Sequence, residues 1–186
     1  CAGQRGLEWW SDHAVVGRCP QWRREWRRAT GGGLVRGLDL QVRIRLATPA
    51  DLPVLQKLVA HSASELEEKY GTPRMDEGLM QCMKHGIDTK QAVVVAEQEG
   101  EIVGWCARVH LPGLPPGQVE GLGTWVHAPF RRERVGADMR AFADKHAKLL
   151  GAKFVTGIAA KDNVAGVRSC LDEGYEVVGY QVRKLL

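Results

Sequence analysis

The stretch Val119–Met139, VEGLGTWVHAPFRRERVGADM, decides the fold of this chain. Its first part favours a β-strand, because Leu122, Trp125 and Val126 lie in a run of β-favouring residues. The dipeptide Ala128-Pro129 then signals a turn, and a short basic segment follows it. The whole stretch therefore predicts a strand, a basic turn and a helix in succession.

The helix after the turn is predicted from apolar side chains at three- and four-residue spacing. These are Met139, Phe142, Ala143, His146, Ala147 and Leu150. Gly151 is expected to end the helix. The first turn of such a helix offers unpaired backbone N–H groups, and Arg131–Arg134 add positive charge there, which favours a phosphate. Gly136 would let the phosphate approach the backbone, although a solvated basic turn remains the alternative.

Length and composition indicate a globular protein with one main domain. The 186 residues are 44% hydrophobic, and no apolar run approaches the roughly 20 residues that span a bilayer. No signal peptide is recognisable, and the five cysteines lack the close spacing of a zinc site or a disulfide framework. Scattered cysteines suit a reducing compartment, so a cytoplasmic location is expected.

Residues 1–41 differ in composition from the rest of the chain. The first 40 residues contain four of the six tryptophans, seven arginines and four acidic residues, but no lysine. The cluster from Trp22 to Arg28 could stack on bases and pair with phosphates, or could lie at a membrane surface. We expect instead a poorly ordered or non-native extension, because no helical or alternating period persists in it.

The remaining segments predict an α/β domain with a mixed sheet, in the order β-α-α-β-β-β-α-β-α-β. Its elements outside the opening stretch are a strand over Val42–Leu46, a helix capped by Thr48 and ending at Gly71, a helix over Met75–His85 closed by Gly86, strands over Gln91–Gln98 and Glu101–His110, a strand over Lys153–Ile158, a helix over Val164–Asp172 capped by Asn163, and a last strand over Tyr175–Leu185. The Leu111–Gly117 segment is rich in proline and glycine, and we expect it to be a loop at the rim of a pocket.

The order and local motifs of Val42–Leu186 resemble the GNAT superfamily of acyl-CoA-dependent N-acyltransferases. That family has Val-x-Pro-x-Tyr/Phe at the end of a strand, followed by Arg-x-x-Gly-x-Gly/Ala at the start of a helix. Here Val126–Phe130 carries its proline one position late, and Arg131–Gly136 has an arginine at the first glycine position. The family's later Asn and Gly-Phe are matched by Asn163 and Gly174-Tyr175.

The resemblance implies acetyl-CoA as the cofactor. The backbone of Trp125 and Val126 would bind the pantetheine arm as an added strand, and an N–H near Trp125 would polarise the thioester carbonyl. Asn163 would face the pantetheine or the phosphates. The pyrophosphate would be held by the backbone of Arg131, Arg132, Glu133, Arg134, Val135, Gly136 and Ala137. Arg134 replaces a usual glycine, and we expect it to be tolerated because helix-start dihedral angles are accessible to arginine.

The general base and acid of the transfer are assigned to Glu120 and Cys170. Some members of the family keep a glutamate base early in the central strand, and an alternation of period two would put Glu120 on the same face as Leu122, Thr124 and Val126. His127, His110 and Asp51 are further candidates for the base. Cys170 stands seven residues after Asn163, where the family usually has a tyrosine acid; a buried thiol that only packs is the alternative.

The resemblance thus implies an N-acetyltransferase that transfers an acetyl group directly to a primary amine of a small molecule or peptide. An acyl-CoA-binding module without catalysis, transfer of a longer acyl group, and nucleic-acid binding through residues 1–41 are the competing hypotheses. No metal or membrane partner is expected, and a homodimer is left open. The Leu111–Gly117 loop and the first helical region are expected to select the amine.

Deletion of residues 1–38 tests the predicted boundary at residue 42. Because the domain's apolar periodicity begins only after this point, we expect thermal stability and acetyl-CoA affinity to stay nearly unchanged. Thermal unfolding and calorimetric titration of the truncated and full chains make the comparison. A truncated chain that fails to fold would show that the first residues belong to the domain.

Overall fold

The computed structural model describes residues 42–71, 75–160 and 162–179 of the chain. Five strands and four α-helices lie in these ranges. They are β1 (Arg43–Leu46), α1 (Leu52–Tyr70), α2 (Asp76–Asp88), β2 (Ala92–Gln98), β3 (Glu101–Val109), β4 (Gln118–Val126), α3 (Val135–Leu149), β5 (Phe154–Gly157) and α4 (Val164–Asp172), with short 3-10 turns at Pro49–Asp51 and Ala128–Phe130. None of the described helices is long and apolar enough to cross a bilayer.

The five strands form one mixed sheet in the order β1-β2-β3-β4-β5. The pairs β1–β2, β2–β3 and β3–β4 are antiparallel, and β5 is parallel to β4. The β2–β3 hairpin turns at Glu99 and Gly100, whose φ angles of 51° and 85° suit a two-residue turn. The parallel pair is joined through α3, as a crossover requires. The predicted α/β class with a mixed sheet is confirmed.

Helices cover both faces of the sheet, and each face has its own apolar core. The face under α3 contains, among others, Val94, Cys106, Val119, Val126, Met139 and Ala143. The face under α1 and α2 contains Leu55, Val59, Met83, Val95, Trp105, Val109 and Trp125. Strand β4 therefore contributes to both cores, with Val126 on the α3 side and Trp125 on the α1/α2 side.

A β-bulge in β4 reverses its alternation of faces. Gly123 pairs with Ala107 and Gly121 pairs with Arg108, so Leu122 has no partner of its own on β3. Leu122 packs on the α1/α2 side with Trp125, although the two are three positions apart and a regular strand would place them on opposite faces. The prediction that Glu120, Leu122, Thr124 and Val126 share one face is therefore wrong. One extra residue in a strand shifts every later side chain to the opposite face.

Helix α2 continues beyond the glycine that was expected to end it. Gly86 lies inside the helix, which runs to Asp88. A Cβ at this position would lie 2.7 Å from Val93 Cγ2 and 2.8 Å from Val109 Cγ2. The glycine thus permits close packing of the helix on β2 and β3 rather than a change of direction.

At the beginning of the domain, the structure agrees more closely with the sequence-based prediction. The side chain of Asp51 accepts a hydrogen bond from the Thr48 N–H at 2.7 Å, which completes the predicted capping box. Asp51 also receives two hydrogen bonds from the Arg45 guanidinium, at 2.8 and 2.9 Å. Gly71 then ends α1 with a left-handed φ of 61°.

The predicted last strand is not found in the part that the structure describes. Residues 175–179 are not in a strand, and residues 180–186 lie outside the described ranges. A side-chain contact holds the start of this segment, because the Arg108 Nη2 donates to the Tyr175 hydroxyl at 2.9 Å. Residues 1–41, with their predicted Trp/Arg cluster, also lie outside the described residues.

Candidate active site

Strand β5 pairs over its whole length with only the first part of β4. The parallel ladder starts at Gln118 and Phe154 and ends at Gly121 and Gly157. Among the described residues, the later part of β4, Leu122–Val126, has no strand on the side where β5 began. We call this part the open edge. Such an edge offers backbone hydrogen-bonding groups to an extended ligand, which can add to it like a strand.

The backbone groups that face outward on the open edge follow from its pairing with β3. The His127 N–H donates to the Val103 carbonyl at 2.8 Å, and a Cβ on Gly104 would lie 2.9 Å from the Trp125 carbonyl oxygen. Since inward- and outward-pointing residues alternate along an antiparallel ladder, Trp125 faces β3 whereas Thr124 and Val126 face outward. The backbone groups of Trp125 are therefore engaged by β3, which does not fit their expected use for a ligand, whereas those of Thr124 and Val126 face outward.

The basic turn after β4 contains two residues in the left-handed conformation. Arg132 and Arg134 have left-handed φ angles of 70° and 62°, on either side of Glu133. Left-handed residues within such a turn aim successive N–H groups into a shared concavity. Helix α3 starts directly afterwards at Val135, so its first-turn N–H groups and the positive end of its dipole point toward the same concavity.

Three details of this turn differ from the sequence-based expectation. The Arg131 N–H donates to the Ala128 carbonyl at 3.3 Å, so the concavity begins at Arg132. Arg134 is left-handed rather than helical, which is the conformation that normally favours glycine. A Cβ on Gly136 would lie 3.5 Å from Val126 Cγ2 and 3.6 Å from Arg140 Nη1, so this side of the glycine faces side chains of β4 and α3.

The side chain of Arg131 is turned away from the anion site. Its two terminal nitrogens bind the Glu65 carboxylate on α1, each at 2.6 Å, and its Nε donates to the Val126 carbonyl at 2.7 Å. The hydrogen bonds from Arg131 hold the pKa of Glu65 well below its usual range, and burial opposes this only in part. The pair thus links α1 to the outer end of the open edge.

Further contacts complete this link around Glu65 and extend it to α4. The Trp125 Nε1 donates to Glu65 at 2.9 Å, and the Arg131 guanidinium lies 5.8 Å from the Trp125 ring centroid. Tyr70, at the end of α1, donates from its hydroxyl to Asn163 Oδ1 at 3.2 Å. The same Asn163 oxygen accepts from the Gly166 N–H at 3.0 Å, which confirms the predicted helix cap.

Two histidines pack near this link. His127 stacks on His61 with ring centroids 6.5 Å apart, and both rings meet the Trp125 ring edge-on. Burial and the neighbouring His61 lower the pKa of His127, so its imidazole is neutral at physiological pH. His127 therefore contributes a neutral aromatic surface at the strand end.

Glu120 lies at the foot of the open edge, on the face of the sheet that α1 and α2 cover. It pairs with Val109 of the core on that face, and its charge acts on the Cys82 thiol of α2. Burial raises the pKa of Glu120, and a hydrogen bond from Thr156 Oγ1 at 2.8 Å opposes that rise. A carboxylate with a raised pKa has the property that a general base needs.

Cys170 approaches from the opposite side. It lies half-buried on α4, within electrostatic reach of Arg140 and of the Tyr175 hydroxyl. Arg140 of α3 fixes this part of α4, because it donates to Ser169 Oγ at 2.7 Å and forms an ion pair with Glu173. Glu120 and Cys170 therefore lie on different faces of the sheet, with the open edge between these faces.

The Leu111–Gly117 loop does not border the open edge. It directly precedes β4, whereas the open edge begins at Leu122, so roughly 13 Å of strand lies between the loop and the open edge. Pro116 and Gly117 instead line a cleft of about 400 Å³ beside the end of α3, together with His110 and Leu150. The Leu111–Gly117 loop therefore lies at the Glu120 end of β4, away from the turn that follows the strand, and its expected role in selecting the amine stays a prediction.

Several residues at the site were not predicted from the sequence. They are Glu65, Tyr70, Thr124, Arg140 and Thr156. Glu65 and Arg131 are 66 residues apart, so no local pattern could have paired them. Thr124 could have been found from the Gly-Leu-Gly sequence before it, because glycines inside a strand often mark a bulge.

Comparisons with known proteins agree with this geometry. The model of the acetyltransferase (GNAT) family matches residues 55–169, and no curated protein matches the chain. A putative acetyltransferase from Salmonella typhimurium, solved with its cofactor acetyl-CoA, has a TM-score of 0.63 at 17% identity over 75% of this chain and 82% of its own. A ribosomal-protein-alanine N-acetyltransferase from Brucella melitensis has a TM-score of 0.61 at 23% identity, over 74% of this chain and 86% of its own.

A third structure, an N-acetyltransferase from Thermoplasma acidophilum in complex with coenzyme A, has a TM-score of 0.58 at 16% identity. That match covers 74% of this chain and 91% of the other. At these identities the structures establish the shared fold. The family match extends from within α1 to within α4, so it includes the open edge and the anion-binding turn.

Replacing Arg134 by glycine tests the left-handed turn. A non-glycine residue in this conformation costs about 1 kcal/mol, so we expect Arg134→Gly to keep the free energy of unfolding equal or to raise it by up to about 1 kcal/mol. The matched control is Glu133→Gly, which has no such strain to relieve and is expected to lose about 0.5–1 kcal/mol. Urea denaturation measures both. Equal losses in the two variants would contradict the assigned conformation.

Glu65→Gln tests the ion pair that ties α1 to the strand end. The variant removes the charge but keeps an acceptor, and we expect a loss of about 1–3 kcal/mol at pH 7. Because the pKa of Glu65 is lowered by folding, its contribution is fully present above the unfolded value near 4.3, declines below that value, and is lost completely only as the pH falls through the lower folded pKa. Denaturation between pH 3 and 8 should show parent and variant converging in acid. The exposed Glu68→Gln on the same helix is the control, and a parent–variant difference that does not shrink between pH 5 and pH 3 would exclude the ionic explanation.

Proposed function

Because the chain belongs to the acetyltransferase (GNAT) family, we propose that it transfers an acetyl group from acetyl-CoA directly to a primary amine of a small molecule or peptide. The observation that carries the proposal is the open edge of β4, which runs directly into an anion-binding turn at the start of α3. This arrangement can bind an extended ligand whose far end is a phosphate. A half-buried carboxylate, Glu120, lies just before the other end of the same edge.

The residues present fit acetyl-CoA. The concavity from Arg132 to Ala137 offers backbone N–H groups for the pyrophosphate, and the exposed Arg132 and Arg134 add positive charge. The outward backbone groups of Thr124 and Val126 can bind the pantetheine arm, with Asn163 across the opening. When bound, acetyl-CoA supplies an activated acyl group on a thioester.

The chain's own residues would then handle the protons. Glu120 would accept a proton from the attacking amine, directly or through a water, and its raised pKa makes it a competent base near neutral pH. Cys170 would donate a proton to the departing sulfur from the other face. An outward N–H of the open edge would orient the thioester carbonyl and polarise it.

An acyl-CoA-binding module without catalysis is the second candidate. Two observations favour it: a cysteine stands where the family usually has its acid, and the outward carbonyl of Val126 is already bound by Arg131. Such a module would bind acetyl-CoA through the same turn but would release no thiol. The two functions therefore differ in turnover and not in affinity.

A thiol-release assay over a panel of polyamines, aminoglycosides, amino acids and peptides decides between them. We expect turnover with at least one amine, and a fall in kcat of about 10²–10⁴-fold in Glu120→Gln, the range for loss of a general base. Calorimetric titration should show unchanged acetyl-CoA affinity in that variant. Glu101→Gln, an exposed glutamate on β3, is the matched control. Acetyl-CoA binding without thiol release from any amine would favour the non-catalytic module.

A further inference from the structure

A chain of hydrogen bonds runs from Gln118 through Thr156 to Glu120. The Gln118 Nε2 donates to Thr156 Oγ1 at 2.9 Å, and Thr156 Oγ1 donates to Glu120 Oε2 at 2.8 Å. Gln118 and Glu120 lie on β4, and Thr156 lies on the parallel strand β5. Glu120 is the direct register partner of Thr156, which brings their side chains together. This is the last part of the ladder before the strands separate.

The direction of these hydrogen bonds is fixed by the chemistry of the groups. An ionised carboxylate can only accept, and a hydroxyl has a single proton, so Thr156 must donate that proton to Glu120. The hydroxyl oxygen then needs a donor, which the amide nitrogen of Gln118 supplies. The opposite orientation of the Gln118 amide would set its oxygen against the hydroxyl oxygen and leave one acceptor unsatisfied.

We propose that Thr156 is a positioning residue for Glu120, and that Gln118 orients Thr156 for this task. The hydroxyl holds the Oε2 of the carboxylate against β5, which leaves Oε1 for the amine or its water. The inference rests on the proposed role of Glu120 as the base. The donated hydrogen bond also stabilises the charged form of this half-buried carboxylate, against the effect of burial.

The other neighbours of Glu120 do not supply this stabilisation. On β3 the residue opposite is Val109, and the titratable group that α2 brings close is the Cys82 thiol, whose pKa is raised by burial and by the charge of Glu120. A neutral thiol and an apolar side chain cannot compensate the charge of a carboxylate. Among the groups in contact with Glu120, the Thr156 hydroxyl therefore provides the stabilising interaction.

The test is a titration of Glu120 in Thr156→Val and Thr156→Ser. Valine keeps the shape and the β-strand preference but removes the donor, whereas serine keeps the hydroxyl. With δ-¹³C-labelled glutamate, the Glu120 carboxyl is followed by NMR in the free protein and is assigned by its absence in Glu120→Gln. We expect the midpoint to rise by about one pH unit in Thr156→Val and to remain at the parent value in Thr156→Ser.

The enzymatic counterpart is the acid limb of the kcat/KM profile. It should move upward by the same amount in Thr156→Val, and Gln118→Met should move it less in the same direction. An unchanged NMR midpoint in Thr156→Val overturns the inference even if Glu120 is the base. A shifted midpoint combined with full activity of Glu120→Gln removes the catalytic role of Glu120, and with it the positioning role of Thr156.

Discussion

The bulge at Leu122–Gly123 in β4 is the constraint on which the rest of the site depends. It reverses which face of the sheet each later side chain of the strand points to. Val126 therefore packs under α3, and Trp125 packs on the α1 side. The ladder with β5 ends at Gly121, immediately before the bulge. A bulge adds twist and disrupts the regular pairing of a strand, so the same feature that sets the faces also accompanies the loss of the fifth strand as a partner.

The separation of the strands is stabilised from outside by α1 rather than by the sheet. Glu65 binds Arg131 and Trp125 at the outer end of the opening, and Tyr70 reaches Asn163 at the start of α4. One helix therefore contacts both sides of the gap. Because hydrogen bonds between charged groups are among the stronger side-chain contacts, this link can hold the two sides apart at a fixed spacing where the backbone ladder no longer does.

The sequence predicted what depends on neighbouring residues and failed where distant ones meet. The Asn163 cap, the Thr48–Asp51 capping box and the hairpin at Gly100 are local patterns, and each is present in the structure. The prediction that Glu120, Leu122, Thr124 and Val126 share one face was wrong because a regular alternation was carried through the bulge. The partner of Arg131 could not be found at all, since an arginine in a basic turn looks the same whether it faces a phosphate or a glutamate 66 residues away.

The position of Arg131 also changes the physical account of the anion site. Its charge is compensated by Glu65, so it adds little positive potential at the turn. The attraction for a phosphate then comes from the exposed Arg132 and Arg134 and from the N–H groups and dipole of α3. Backbone groups are fixed by the fold and need no side-chain ordering when a ligand binds. Arg132 and Arg134 adopt the left-handed conformation that directs the backbone N–H groups of the turn inward, and this conformation is energetically unfavourable for a residue with a side chain. At position 134 the family usually has a glycine, which would avoid this strain.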